Sequence, residues 1–121
     1  MRMWMTNPKI MCQKHLCGEH LEVHMFLGHL KKRKKVDGYL KNNCLEMRSI
    51  FHRHEDLAKE MINRGYNHKT PMKEIEFECI YDYPREQIYW RINEIKSQMD
   101  LLSRCPACYK RASSFYRIKT F

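Results

Sequence analysis

Apolar residues recur at helical spacing in three stretches of the chain, each with its own start and stop signals. Val23, Phe26, Leu27 and Leu30 fall on one face of a helix. Asn7-Pro8 offers an N-cap followed by proline at the first helical position, so this helix is expected to start there. It should run, with a break near Gly18, towards Lys35 and end at Asp37-Gly38. A second helix is expected from Asn42-Asn43 to just before Gly65, a residue suited to closing a helix. Ile50, Phe51, Leu57, Ala58, Met61 and Ile62 would form its core face. A third opens at Asp82-Tyr83-Pro84, reaches about Ser103 and is stopped by Pro106. Along it Ile88, Ile92, Ile95, Met99 and Leu102 recur at steps of four, three, four and three, a stripe that should face the core.

Between the second and third helices, residues 66–81 contain Pro71 and a short alternating piece, Ile75, Phe77, Cys79 and Tyr81. A lone strand cannot make a sheet, so this segment reads as an ordered loop. Nothing repeats and no stretch has linker composition. The expectation is an all-α fold, a single domain over residues 1–121. It would have three principal helices, an ordered loop between the second and third, and a basic, aromatic C-terminal tail.

Composition narrows the classes. With 121 residues, 43% hydrophobic, and only four Gly and four Pro, the chain is neither disordered nor collagen-like. No apolar run approaches the roughly 20 residues that span a bilayer, so no membrane partner is expected. No apolar segment follows Arg2, so no secretory signal is expected either. The six cysteines then read as reduced thiols of an intracellular protein, in cytoplasm or nucleoid or in a host cell, and a monomer is expected.

Charge changes the picture more. The chain carries 23 Lys+Arg against 14 Asp+Glu, a net charge of +9, and the isoelectric point is about 9.4. Residues 1–50 contribute +6, residues 51–100 −2 and residues 101–121 +5. Two basic ends therefore flank an acidic middle, and the natural partner of such a surface is a polyanion. The run Lys31-Lys32-Arg33-Lys34-Lys35 dominates the first end. In the last, Arg104, Lys110, Arg111, Arg117 and Lys119 are interleaved with Tyr109, Phe115, Tyr116 and Phe121. Cations mixed with aromatics suit phosphate contact together with stacking or wedging against bases.

Three constellations of reactive residues are weak by spacing alone. Cys105-Pro-Ala-Cys108 is one Cys-x-x-Cys pair, and Cys12, Cys17 and several histidines could complete a metal site. A structural zinc usually takes two short-spaced pairs, so no metal is expected. His20 and His24 lie four apart, but Leu21 stands where a zinc protease helix needs Glu. A redox Cys-x-x-Cys would call for a βαβ setting, which is missing. The N-terminus offers more. Arg2 is bulky, so Met1 should be retained, and an α-amine with a pKa of about 7.7–8.0 is partly neutral and nucleophilic at pH 7. A lysine would need strong desolvation to match it. Glu19 and Glu22, three apart on the first helix, share a face and are placed to approach that amine.

Three ordered blocks carry a resemblance. His15-Leu16-Cys17-Gly18-Glu19-His20-Leu21-Glu22-Val23-His24 resembles the HLxGEHxExH signature of the small pyrimidine-dimer DNA glycosylase/AP lyase family, which has members in T-even phages. Phe51-His52-Arg53-His54-Glu55, continued by Glu60-Met61-Ile62-Asn63-Arg64-Gly65-Tyr66, resembles the family's RRHE…RGY segment. Arg104-Cys105-Pro106 with Tyr109-Lys110 is similar to its Pro…Tyr-Lys near the C-terminus.

The resemblance implies a DNA-repair glycosylase with AP lyase activity that excises pyrimidine dimers from duplex DNA. In the family, the N-terminal α-amine attacks C1′ of the damaged nucleotide, and the resulting imine undergoes β-elimination. Here the amine would be that of Met1, and Glu22 would be the essential carboxylate. Arg2 and His15 match polar residues kept near the nucleophile and the DNA backbone. Glu19, His20 and Arg53 would support the site, Glu19 equally well as a structural partner.

Leu21 and Met25 replace basic positions of relatives, so DNA contact is expected to shift to Lys14, Lys31, Lys32 and Arg33, and to Tyr109, Lys110 and Arg111. The implied partner is double-stranded DNA containing lesions or abasic sites, reached by flipping a base, with no cofactor. The competing readings are a non-catalytic DNA-binding module, with zinc at Cys105 and Cys108, and a same-mechanism glycosylase for another damaged or modified base.

Overall fold

The computed structural model describes residues 1–119, and side chains as far as Arg117. Asn7 caps the chain's first turn as expected, its side chain accepting the Lys9 N–H at 3.0 Å. That turn, Pro8–Ile10, is a separate 3-10 turn rather than the start of the long helix. Met11 and Cys12 are extended beyond it, which lets Ile10 and Met11 both enter the core. Helix α1 then runs Gln13–Lys31 without a break at Gly18. Its buried residues include Leu16, Val23, Phe26, Leu27 and Leu30, the helical period read from the sequence.

Asp37-Gly38 opens an element instead of closing one. Helix α2 spans Asp37–Lys41, with an acid in its first turn where the helix dipole favours it. The second predicted helix begins later than Asn42-Asn43, since these two form a turn, Asn43 is left-handed at φ 61°, and residues 44–46 are not helical. A 3-10 turn, Met47–Ser49, leads into α3, Ile50–Asn63. Gly65 closes α3 at φ 82°, with the Tyr66 N–H bonded to the Met61 carbonyl and the Gly65 N–H to that of Ile62. On α3 the residues Ile50, Leu57, Ala58 and Met61 are buried, Phe51 is half-buried, and Ile62 faces solvent.

The segment read as an ordered loop is partly helical. Glu74–Asp82 forms a 3-10 helix in which only Ile80 is buried. With no neighbouring strand, its backbone groups close on one another three residues apart instead of forming a ladder. No strand occurs among the described residues.

The third predicted helix is split into α4, Arg85–Ile88, and α5, Glu94–Arg104. The break is secured from outside: the Ile92 N–H bonds Glu46 Oε1 at 2.8 Å, and Asn93 caps α5 through the Lys96 N–H. It shifts the helical phase. Ile88 and Ile92 are buried, but Ile95 is 76% and Met99 67% exposed, while Ser97 and Leu101 face the core. Pro106 does not end the chain's helical structure but starts α6, Pro106–Lys119, at the position where proline costs no hydrogen bond. The predicted tail is therefore a helix as far as it is described. The Lys119 side chain and Phe121 lie outside the described residues.

Helix α1 packs on α3, α5 on α6, and α6 on the Pro8–Ile10 turn. One cluster of buried apolar side chains runs through these elements, from Met3 and Trp4 to Leu101 and Cys108. Among the described residues, no helix is long and apolar enough to cross a membrane.

Candidate active site

The N-terminal segment is held in place by its own backbone. The Met3 N–H donates to the Cys44 carbonyl at 2.7 Å, Met3 is fully buried, and the Met1 side chain packs against the core. One residue along, the backbone N–H of Arg2 donates to Glu22 Oε2 at 3.2 Å. The carboxylate of α1 thus lies one peptide unit from the α-amino nitrogen. The Arg2 guanidinium stacks over Trp4 at 3.9 Å and pairs with Asp100 of α5 at 3.2 Å, and its buried Nε has no partner among the described residues.

Glu19 and Glu22 part company despite sharing a face. Glu19 is 1% exposed and makes a two-pronged ion pair with Arg53, with Oε2 to Nε at 2.6 Å and Oε1 to NH2 at 2.9 Å. Arg53 also donates to the Thr6 carbonyl at 2.6 Å, tying α3 to the N-terminal segment. Glu19 is thus neutralised within the core, and only Glu22 reaches the chain start.

The structure places the His15 side chain among three cysteines. Its Nδ1 lies 3.2 Å from Cys12 Sγ and 3.7 Å from Cys108 Sγ, and Cys12 Sγ is 3.8 Å from Cys105 Sγ. The N–H of Cys12 donates to Cys108 Sγ at 3.2 Å and that of Cys108 to Cys105 Sγ at 3.3 Å. Burial, helped by Lys14, holds the His15 imidazole below its ordinary pKa against the pull of Glu22. Burial raises the Cys108 thiol, whereas amide hydrogen bonds lower the Cys105 thiol despite its burial. Cys17 lies outside this group.

On another side of α1, His20 meets His54 of α3 and His68 of the following loop. Their Nε2 atoms are 2.9 to 3.4 Å apart, and the ring of His24 packs on His20 and His54. Burial first, and then the neighbouring imidazoles, push His20 down to about 4, so it is neutral at pH 7.

The expected DNA contacts are exposed but unevenly engaged. Lys31 pairs with Glu76 at 2.8 Å and Arg33 with Asp82 at 3.0 Å, which ties the end of α1 to the 74–82 helix. Arg111 donates to the Lys9 carbonyl at 3.1 Å. Lys14, Lys32, Lys34, Lys35, Tyr109 and Lys110 face solvent. So do Leu21 and Met25, one turn apart on α1. A cleft of about 600 Å³ between the N-terminal segment, α3 and α5 is lined by Thr6, His52, Arg53, Ile95 and Met99 among others; Met1 and Glu22 are not part of it.

Sequence reasoning missed Trp4 and Asp100, which hold Arg2, as well as His68; it offered Cys12, Cys17 and several histidines as partners for Cys105 and Cys108 without singling out Cys12 with His15. For the last, the spacing Cys12-Gln-Lys-His15 was the available signal, a second short pair hidden by being Cys-x-x-His.

Comparison with curated proteins and with solved structures returns no significant match. A family model of pyrimidine dimer DNA glycosylases matches residues 1–74, well over half of the 121 residues. That stretch holds Met1, Glu22, the Glu19–Arg53 pair and the three clustered histidines; the likeness at Arg104–Lys110 lies beyond it. The chain belongs to the pyrimidine dimer DNA glycosylase family, a family of DNA-repair enzymes.

Proposed function

We propose that this protein is a bifunctional DNA glycosylase and AP lyase acting on pyrimidine dimers in duplex DNA, with the α-amine of Met1 as nucleophile and Glu22 as the catalytic carboxylate. The observation that carries the reading is the 3.2 Å hydrogen bond from the Arg2 N–H to Glu22, which sets an anion beside the chain start. The neutral amine adds its lone pair to C1′ as the glycosidic bond breaks, and the base leaves with the bonding electrons and takes up a proton. Opening of the sugar ring gives an imine to C1′. Loss of a C2′ proton then expels the 3′-phosphate and cuts the strand. Glu22 stabilises the positive charge that develops at C1′ and assists the proton transfers.

C1′ is shielded in stacked duplex, so a nucleotide has to be flipped out first. Lys14, Lys32 and Lys110 would bear on backbone phosphates, Tyr109 on a base or sugar face, and Lys31, Arg33 and Arg111 would add charge from their paired positions. The reading treats the chain as one domain acting as a monomer inside the cell. Arg2, clamped by Trp4 and Asp100, serves it as a fixed positive charge beside the amine.

The test is borohydride trapping on DNA carrying a cis-syn dimer or an abasic site, with mass analysis of the adduct. A covalent product attached through the Met1 nitrogen is expected. Unchanged trapping and strand cleavage after the α-amine is blocked would overturn the mechanism.

A further inference from the structure

We propose that Cys12, His15, Cys105 and Cys108 bind one structural zinc ion. The four donor atoms lie within 4.8 Å of one another, and the neighbouring pairs are 3.2, 3.7 and 3.8 Å apart. With zinc–sulfur bonds of about 2.3 Å and zinc–nitrogen bonds of about 2.0–2.1 Å, the edges of a tetrahedron come to about 3.5–3.8 Å. The sulfurs stand much farther apart than the roughly 2.05 Å of a disulfide, and all six cysteines are free. Cys105 and Cys108 are buried, and backbone N–H groups aim at both of their sulfurs, which suits thiolates better than thiols.

The chain builds the site twice in the same way. Cys12 is the N-cap of α1 and His15 lies in its first turn; Cys105 immediately precedes α6 and Cys108 lies in its first turn. Each pair therefore sits at the N-terminus of a helix, with Cys105 also closing α5 as its C-cap. Two pairs at spacing three are what a structural zinc site needs, with Cys-x-x-His standing in for the second Cys-x-x-Cys. The ion would join the family-matched segment to the α5–α6 junction beyond it, and would hold the start of α1. In this assignment His15 is a metal ligand, and the protein is not metal-free.

The test uses the full chain, produced untagged in zinc-supplemented medium and purified without chelator, with metal content measured by mass spectrometry. Cobalt substitution should give a thiolate-to-metal charge-transfer band and the intense visible bands of tetrahedral coordination. His15→Cys should keep both, His15→Ala should weaken binding at least tenfold, and Cys17→Ser should change neither. Folded wild-type protein that gives no charge-transfer band on cobalt titration would overturn the assignment, as would a Cys17→Ser variant that loses the metal. The readout is independent of glycosylase activity.

The histidine cluster carries a second, separate inference: we infer that His20, His54 and His68 bind a divalent transition-metal ion of the imidazole-preferring class. Their Nε2 atoms are 3.1, 2.9 and 3.4 Å apart, close to the edge of a nitrogen tetrahedron around zinc. A neutral imidazole has a single N–H. His54 Nδ1 lies 2.9 Å from Glu55 Oε1 and its Nε2 3.0 Å from the Thr70 carbonyl, so the neutral ring donates to one of the two. With the N–H on Nδ1, Nε2 is left to ligate beside the Nε2 atoms of His20 and His68. His68→Ala should remove one equivalent of metal from the same preparation and leave the thiolate band intact. Wild-type and His68→Ala proteins with equal metal content would overturn this second site.

Discussion

The backbone N–H of Arg2 donates to Oε2 of Glu22 across 3.2 Å, so the carboxylate of the first long helix is bonded to the second residue of the chain. The bond places a negative charge where the proposed chemistry generates a positive one, and it uses the backbone rather than a side chain. Glu22→Gln keeps an acceptor for the Arg2 N–H and removes only the charge. We expect strand cleavage of abasic DNA to fall by roughly 10²–10⁴-fold. The thermal midpoint should stay near that of the wild type, and single-turnover cleavage with parallel calorimetry checks both.

The Glu19–Arg53 pair predicts the opposite balance. Both side chains are buried, and removing one partner strands the charge of the other. Glu19→Gln or Arg53→Met should each destabilise the fold by about 3–5 kcal/mol. Glu19→Leu combined with Arg53→Met should cost less than either single change, although the Thr6 carbonyl then loses its donor. Urea denaturation of the three variants measures the coupling.

Glu60 makes stability depend on pH. Burial alone would raise its pKa, but the hydrogen bond from Arg64 at 2.8 Å and the charge of Lys9 bring it below the ordinary value. Between the folded and unfolded values the unfolded chain binds more protons, so stability falls as pH drops through that window. Its contribution is complete above the unfolded value and gone below the folded one. Glu60→Gln should therefore cost about 1–2 kcal/mol at pH 7. The difference from wild type should vanish in acid, as urea melts at pH 7, 5 and 3 would record.

The basic run at the end of α1 divides by engagement. Lys31 and Arg33 are paired with acids of the 74–82 helix, while Lys32, Lys34 and Lys35 face solvent. Replacing those three by Ala should lower the slope of log affinity against log salt for duplex DNA by about 2–3. Fluorescence anisotropy across a salt series reads this directly, and folding stability should be nearly unchanged.

The core face of α1 and the closure of α3 at Gly65 were legible because each depends on residues a few positions apart. Helical periodicity and a left-handed glycine are local properties. The Ile95–Met99 stripe misled for the same reason. Its period is helical, but the break at Tyr89–Asn93, secured by Glu46 nearly fifty residues away, turns that face outward and Ser97 inward. Pro106 was ambiguous in principle, since proline both ends one helix and begins the next.

For the site, the sequence alone determined which residues were chemically eligible: an N-terminal amine, two carboxylates at helical spacing, a Cys-x-x-Cys pair, and a family signature around Glu22. Tertiary structure decided their partners. It sent Glu19 inward to Arg53 and left Glu22 at the chain start. It drew Cys12 to Cys105 and His15 to Cys108, each across 93 residues of sequence, and gathered His20, His54 and His68 from two helices and a loop. Spacing along a chain specifies the face of a helix, a matter of backbone geometry. Which face meets which depends on how the whole apolar surface is buried, and that is settled only when the helices pack.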